Sequence, residues 1–422
     1  MLIIKNIRIL DPVSGMDRVG DLTIEGGIIQ SLGDRALPNA DDQIIDGSGL
    51  VAAPGLVDVH VHFRDPGLTY KEDILTGSAA AAAGGYTSVV CMANTKPVAD
   101  NEETVSYIVE KAKQAGIHVY TAAAVTKGFH GKELTDFERL RTCGAVGFTD
   151  DGIPLQDREI VREAMRKLRA MDLPISLHEE DPSMILRPGV HQGSVAEQLG
   201  YGGAPSASEY TMVERDCALA LETGAKVDIQ HISAKETVEL VRRAKAAGAD
   251  VHGEVTPQHF SATEELVLEK GSLARVNPPL RTEEDRQALI RGLQDGTLDL
   301  IATDHAPHSR EEKAGDIKEA PSGMIGLETA LALGITQLVR PGYLTLPQLL
   351  EKMTVNPAKL YKLDAGELRV GGPADLVIFD EKEQWTVTDD FVSKANNSPF
   401  IGWKLVGRVK YTICNGEIVF QR

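Results

Sequence analysis

Between residues 56 and 303 the chain alternates short, apolar, β-rich runs with longer Ala- and charge-rich stretches of helical texture. The candidate strands are Leu56–Phe63, Thr87–Asn94, His118–Val125, Ala145–Asp150, Pro174–His178, Lys226–Ile232, Asp250–Val255 and Leu298–Thr303. Helical patterns such as Glu103–Ala115, Arg158–Met171, Ser208–Thr223 and Lys235–Ala247 lie between them. Strands separated by helices are joined by crossovers, which makes them parallel and covers the sheet on both faces. Eight strands is the number that closes a (β/α)8 barrel. The pattern predicts an α/β fold with a TIM-type barrel over residues 54–364.

The ends have a different texture. Leu2–Leu10, Leu22–Glu25, Ile28–Leu32 and Gln43–Ile45 read as short strands punctuated by Gly26-Gly27 and Gly47-Ser48-Gly49. Asp375–Phe379, Trp385–Thr388 and Tyr411–Phe420 repeat this, and Asn415-Gly416 is a hairpin signal. Neither end is large enough to make a sheet domain alone. Residues 1–53 and 365–422 are therefore expected to build one small composite β-sandwich.

Composition narrows the partners. Lys and Arg total 44 against 62 Asp and Glu, a net charge of −18. Such a chain has no global footprint for nucleic acid or an anionic membrane surface. Lys5 and Arg8 interrupt the first apolar stretch, and no run approaches the ~18 apolar residues of a membrane span. The four cysteines are scattered and form no CxxC pair, a usage suited to a reducing compartment. A soluble cytoplasmic protein without membrane or nucleic-acid partners is the expectation.

Ligand-capable residues gather at the ends of the candidate strands. His60 and His62 stand at i and i+2, so both side chains point to one face of the first strand. His178 ends the fifth, His231 the sixth and Asp304 the eighth. Barrel active sites form at that C-terminal face, and imidazole with carboxylate suits Zn2+ or another first-row divalent ion. Asp150-Asp151 closes the fourth strand; either carboxylate can cap the turn before Gly152, and either can bridge two ions. Arg187–Ser206 and Pro307–Gly323 are long enough to overhang the same face as lids or substrate loops.

Four segments carry a resemblance: His60-Val-His-Phe-Arg-Asp-Pro-Gly67, Met92-Ala-Asn-Thr-Lys-Pro97, Asn277-Pro-Pro-Leu-Arg281 and Thr303-Asp-His-Ala-Pro-His308. Together they resemble the amidohydrolase superfamily, and within it the class I dihydroorotases of bacteria. Gly371–Phe379 is similar to a segment of that superfamily's β-sandwich. The resemblance implies metal ligation by His60, His62, Asp151, His178, His231 and Asp304, with Asp304 also the general acid/base. It implies one or two zinc ions, two being favoured, and substrate contacts from His62, Arg64, Asn94, Asn277, His308 and the Ser322-Gly323 turn.

The implied reaction is the reversible cyclisation of N-carbamoyl-L-aspartate to dihydroorotate in pyrimidine biosynthesis, through metal-bound hydroxide and Asp304. A homodimer and association with aspartate transcarbamoylase are implied as well. The guanidinium of Arg64 suits a substrate carboxylate. A hydantoinase/dihydropyrimidinase or an allantoinase is the rival cyclic-amide hydrolase. The former typically carries a lysine at the end of strand four, where this chain has only carboxylates, and the latter tends to place Asn at the Arg64 position. A non-catalytic scaffold relative is the remaining alternative, disfavoured because all six ligand positions are filled.

Overall fold

The computed structural model describes residues 1–422. Eight parallel strands form one sheet in chain order: Leu56–Val61, Tyr86–Cys91, His118–Ala123, Ala145–Thr149, Ile175–Leu177, Val227–Ile229, Val251–Val255 and Leu300–Ile301. The first and last are joined by a bridge between Val61 and His305, with the His62 amide donating to the His305 carbonyl at 2.9 Å. The eight strands fall where the sequence pattern puts them. Several are shorter at their C-terminal ends, where the chain turns out of the ladder to present side chains.

Outer helices bury the face that their apolar spacing dictates. Arg158–Met171 buries Val161, Ala164, Met165 and Leu168, which recur at helical spacing, and leaves its charged face to solvent. Glu283–Asp295 begins with a reciprocal cap: Thr282 Oγ1 accepts from the Asp285 amide while the Asp285 carboxylate accepts from the Thr282 amide. Tyr361, from the helix Val355–Tyr361, meets Ser176 Oγ at 2.7 Å, and that hydroxyl donates to Asp228 Oδ2 at 2.9 Å.

The two ends of the chain share a second eight-stranded sheet. Its order is Glu417–Gln421, Lys404–Cys414, Leu376–Thr386, Val51–Pro54, Leu2–Asp11, Met16–Glu25, Ile28–Leu32, with Gln43–Asp46 branching from Leu2–Asp11. Leu2, Ile4, Ile7, Leu22, Ile29, Leu376 and Ile413 pack together in its own apolar cluster. Two details differ from expectation, and the Asn415-Gly416 hairpin forms as expected. Val51–Pro54, not among the candidate strands, is the strand that pairs the two ends, with Ala53 opposite Val377. Asp375–Phe379 and Trp385–Thr388 belong to one strand, Leu376–Thr386, whose register shifts between Asp380 and Gln384. Tyr411–Phe420 is a hairpin that turns at Asn415-Gly416. No helix is long and apolar enough to cross a membrane.

Candidate active site

The end of the fourth barrel strand shows how local chemistry aims a side chain. Asp150 Oδ1 accepts from the amides of Val125 (2.8 Å) and Thr126 (3.0 Å), and Oδ2 accepts from the Thr126 hydroxyl. That carboxylate is turned away and ties strand four to the loop after strand three. Burial pushes it up to about 6, against the pull of the Thr126 hydrogen bonds. Asp151 then points inward: its amide donates to Thr149 Oγ1 at 3.0 Å, and Gly152 continues the turn at φ 87°.

Asp151 sits between two pairs of histidines. Its Oδ1 lies 3.4 Å from His60 Nε2, 3.6 Å from His178 Nδ1 and 3.6 Å from His231 Nε2, while Oδ2 lies 3.3 Å from His62 Nε2. Asp304 Oδ1 approaches His62 Nε2 at 2.9 Å and His60 Nε2 at 3.6 Å. His178 Nδ1 and His231 Nε2 converge at 2.9 Å. Two groups can each hold a metal ion, His60 with His62 and Asp151, and Asp151 with His178 and His231. His60 Nε2 and Asp151 Oδ1 are buried without a hydrogen-bond partner. Orphaned buried polar atoms are rare, and these two face each other across the space a divalent cation fits.

The backbone is strained where it presents these groups. Arg64 (φ 60°), His231 (φ 35°) and Asp304 (φ 50°) all occupy the left-handed region without being glycine. Each such residue costs about 1–2 kcal/mol, and outliers of this kind cluster at functional sites.

A second layer orients the rings. Glu254 Oε1 accepts from His60 Nδ1 at 2.8 Å and from the His231 amide at 3.1 Å. Glu180 Oε2 accepts from His178 Nε2 at 3.0 Å, and Asn94 Oδ1 from His62 Nδ1 at 2.8 Å. These partners fix which ring nitrogen faces the centre. Burial opposes charge on His60, but Glu254 and Asp151 outweigh it and hold the imidazole well above its usual range. Burial lowers His178, but its hydrogen bonds to the Asp151 and Glu180 carboxylates outweigh this and raise it to about 10. Burial raises Asp151 and Asp304, yet the surrounding histidines bring both below the usual carboxylate range.

Above this centre a cavity of about 180 Å³ is lined by His62, Arg64, Asn94, Asp151, Gly152, His178, His231, Asn277, Asp304, Ala306, His308, Ser322 and Gly323. All the residues expected at the substrate line it, and His60 lies fully buried beneath. Arg64 Nε donates to the Pro307 carbonyl at 3.3 Å. Asn277 Oδ1 and Ser322 Oγ are buried without partners. The Gly323 amide is committed to the Arg275 carbonyl at 2.9 Å, so Ser322 carries the turn's free side-chain group.

The loop 307–323 supplies His308, Ser322 and Gly323, whereas Arg187–Ser206 supplies no lining residue. The latter backs the former at Gly189 (φ 93°), where a Cβ would meet Ser322 Oγ at 2.7 Å. Asn397, from the segment between the last sheet strands, braces the site. Its Oδ1 accepts from the His308 amide at 3.1 Å, and its Nδ2 donates to the carbonyls of Ala306 (3.1 Å) and Gly323 (3.2 Å).

Glu254, Glu180 and Asn397 were not anticipated. A charged residue inside the apolar Asp250–Val255 run was the available signal for Glu254; Asn397 has no local signal. A further trio, His118, Asp375 and Cys414, lies at the junction of barrel and terminal sheet. There the polar atoms are engaged: Asp375 with His118 Nε2 (2.9 Å) and the Asn415 amide (2.6 Å), and Cys414 Sγ with the Thr87 carbonyl (3.8 Å).

Residues 49–237 match the dihydro-orotase-like family and residues 320–420 the amidohydrolase family. The chain is 57% identical over 421 residues to a dihydroorotase of Clostridioides difficile, covering 100% of both chains. It is 54% identical over 421 residues to a dihydroorotase of Lactococcus lactis, covering 100% of this chain and 99% of that one. Among solved structures, the L-hydantoinase (dihydropyrimidinase) from Arthrobacter aurescens superposes with a TM-score of 0.87 at 27% identity, over 100% of this chain and 96% of that one. Dihydropyrimidinase from Brevibacillus agri superposes with a TM-score of 0.85 at 23% identity, over 99% and 95%, which speaks to the fold alone. On full-length identity above half, the chain belongs to the dihydroorotase family of amidohydrolases.

Proposed function

We propose that this protein is a metal-dependent dihydroorotase, interconverting N-carbamoyl-L-aspartate and dihydroorotate in pyrimidine biosynthesis. The observation that carries the substrate is Arg64: its guanidinium lines the cavity beside the histidine–aspartate cluster, and its protein contacts are long, the Pro307 carbonyl at 3.3 Å and His308 Nε2 at 3.5 Å. A planar cationic fork free at a cavity wall suits a carboxylate. Asp151 between two histidine pairs supports two ions, and the nitrogen and carboxylate donors favour zinc.

A divalent cation bound here supplies Lewis-acid polarisation of the ring carbonyl and acidifies water. This chain's residues do the rest. Arg64 holds the substrate carboxylate. Asn277 Oδ1, buried and unpartnered, accepts a ring N–H. Asp304, kept ionised at neutral pH by His62, accepts the proton released as water adds to the carbonyl. It returns that proton to the ring nitrogen as the C–N bond breaks, and acts in the opposite order during cyclisation.

Within this reading residues 54–364 are the catalytic unit, and 1–53 with 365–422 the terminal unit, supported by the single sheet both ends form. A cytoplasmic homodimer associating with aspartate transcarbamoylase completes the proposal; sedimentation with and without that enzyme tests it. The substrate test compares dihydroorotate with dihydrouracil, which lacks the carboxylate. We expect kcat/KM to favour dihydroorotate by about 100-fold or more, the worth of a charge-assisted pair. Equal values would exclude the reading.

A further inference from the structure

His308 stands at the cavity wall with both ring nitrogens engaged. Lys71 Nζ lies 3.1 Å from Nδ1, and the Ser322 carbonyl oxygen lies 2.9 Å from Nε2. An ammonium has donors and no lone pair, so Nδ1 must accept. A carbonyl oxygen has lone pairs and no proton, so Nε2 must donate. Both constraints give the neutral Nε2–H tautomer. Charge agrees: burial, then Arg64, Lys71 and Lys313, push the imidazole down to about 2.

The one carboxylate within 4 Å of the ring is Glu312, with Oε2 3.6 Å from Nδ1. Its Oε1 pairs with Lys71 Nζ at 2.8 Å and accepts from the Tyr70 hydroxyl at 2.9 Å. Lys71 thus stands between Glu312 and the imidazole, neutralising the group that would draw the proton to Nδ1. On the cavity side, an Arg64 terminal nitrogen lies 3.5 Å from His308 Nε2. In the Nε2–H tautomer both atoms are donors; the Nε2–H, held by the Ser322 carbonyl, is shared as a three-centre bond with an acceptor that also meets Arg64. A carboxylate is that acceptor.

We propose that Lys71 is a positioning residue for substrate recognition: by holding His308 in the Nε2–H tautomer, it makes Arg64 and His308 a donor pair for the substrate carboxylate. The proposal rests on the dihydroorotase reading for the identity of that carboxylate. Without Lys71, Glu312 keeps the Ser309 amide on Oε2 (3.0 Å) and the Tyr70 hydroxyl on Oε1 but loses its cation, and attracts a proton to Nδ1. Nε2 then becomes an acceptor that engages Arg64 internally and repels the carboxylate, or the ring becomes cationic.

The test is the protonation pattern of His308 in zinc-loaded, 15N-histidine-labelled enzyme, from two-bond 1H–15N correlation spectra, with His308→Gln identifying the signals. Wild type and Lys71→Arg, which keeps a donor without a lone pair, should show the proton on Nε2. Lys71→Met should move it to Nδ1 or populate the imidazolium, and raise KM for dihydroorotate about tenfold while kcat changes less than about threefold. A proton on Nδ1 in the wild type overturns the proposal, as does Lys71→Met with Nε2–H and KM both unchanged. A wild type that shows Nε2–H but does not turn over dihydroorotate overturns the substrate reading, and leaves the Lys71–His308 assignment standing on the spectrum.

Discussion

Glu254 accepts the Nδ1 proton of His60 at 2.8 Å, joining the seventh barrel strand to the first beneath the histidine–aspartate cluster. Both side chains are fully buried. The hydrogen bond turns His60 Nε2 toward Asp151, and the anion raises the basicity of the ring. Replacing Glu254 by Gln keeps an acceptor but removes the charge. We expect Glu254→Gln to weaken zinc affinity about 10- to 100-fold, measured by competition with a chromophoric chelator.

The adjacent carboxylates of strand four should separate cleanly. Asp151→Asn should lose zinc affinity by more than about 100-fold. Asp150→Asn should retain zinc but cost roughly 1–3 kcal/mol, because three donors from Val125 and Thr126 lose their shared anion. Metal titration and denaturant unfolding of the two variants check both outcomes.

Arg64→Lys tests the shape of the carboxylate receptor as well as its charge. A lysine keeps the cation and loses the fork. We expect kcat/KM for dihydroorotate to fall about 10- to 100-fold, equivalent to ~1.4–2.7 kcal/mol of transition-state binding. An unchanged value would remove Arg64 from the site.

Lys313 gives a pH dependence. Its Nζ donates to the carbonyls of Pro321 (2.8 Å) and Gly323 (2.9 Å), and burial, with Arg275, lowers its pKa to about 7. In the unfolded chain an ordinary lysine titrates near 10.4. Between those values the unfolded state binds the extra proton, so this group's contribution to stability is full above about pH 10 and is lost as pH falls through about 7. The stability of wild type relative to Lys313→Met should therefore rise from pH 7 to pH 10, read from unfolding midpoints.

The barrel was legible because eight apolar runs and their helical spacers are local patterns. The six proposed ligands were legible because each terminates such a run. The strand Val51–Pro54 was not, since it pairs with Leu376–Phe379, which lies far along the chain. Which of Asp150 and Asp151 turns inward depended on donors from Val125 and Thr126, in a neighbouring loop. Glu254 and Asn397 act across separations of 194 and 89 residues, which leave no spacing to read. The Lys71–His308 contact spans 237 residues and emerges only when two loops meet over the barrel.

The most direct measurement of the whole account is the loss of dihydroorotate's ultraviolet absorbance on hydrolysis, followed before chelation, after chelation and after reloading with zinc. Activity should disappear with the metal and return with it, because His60, His62, Asp151, His178 and His231 converge on a centre that needs a cation. Undiminished hydrolysis after complete metal removal, or none in the zinc-loaded protein, would contradict the account.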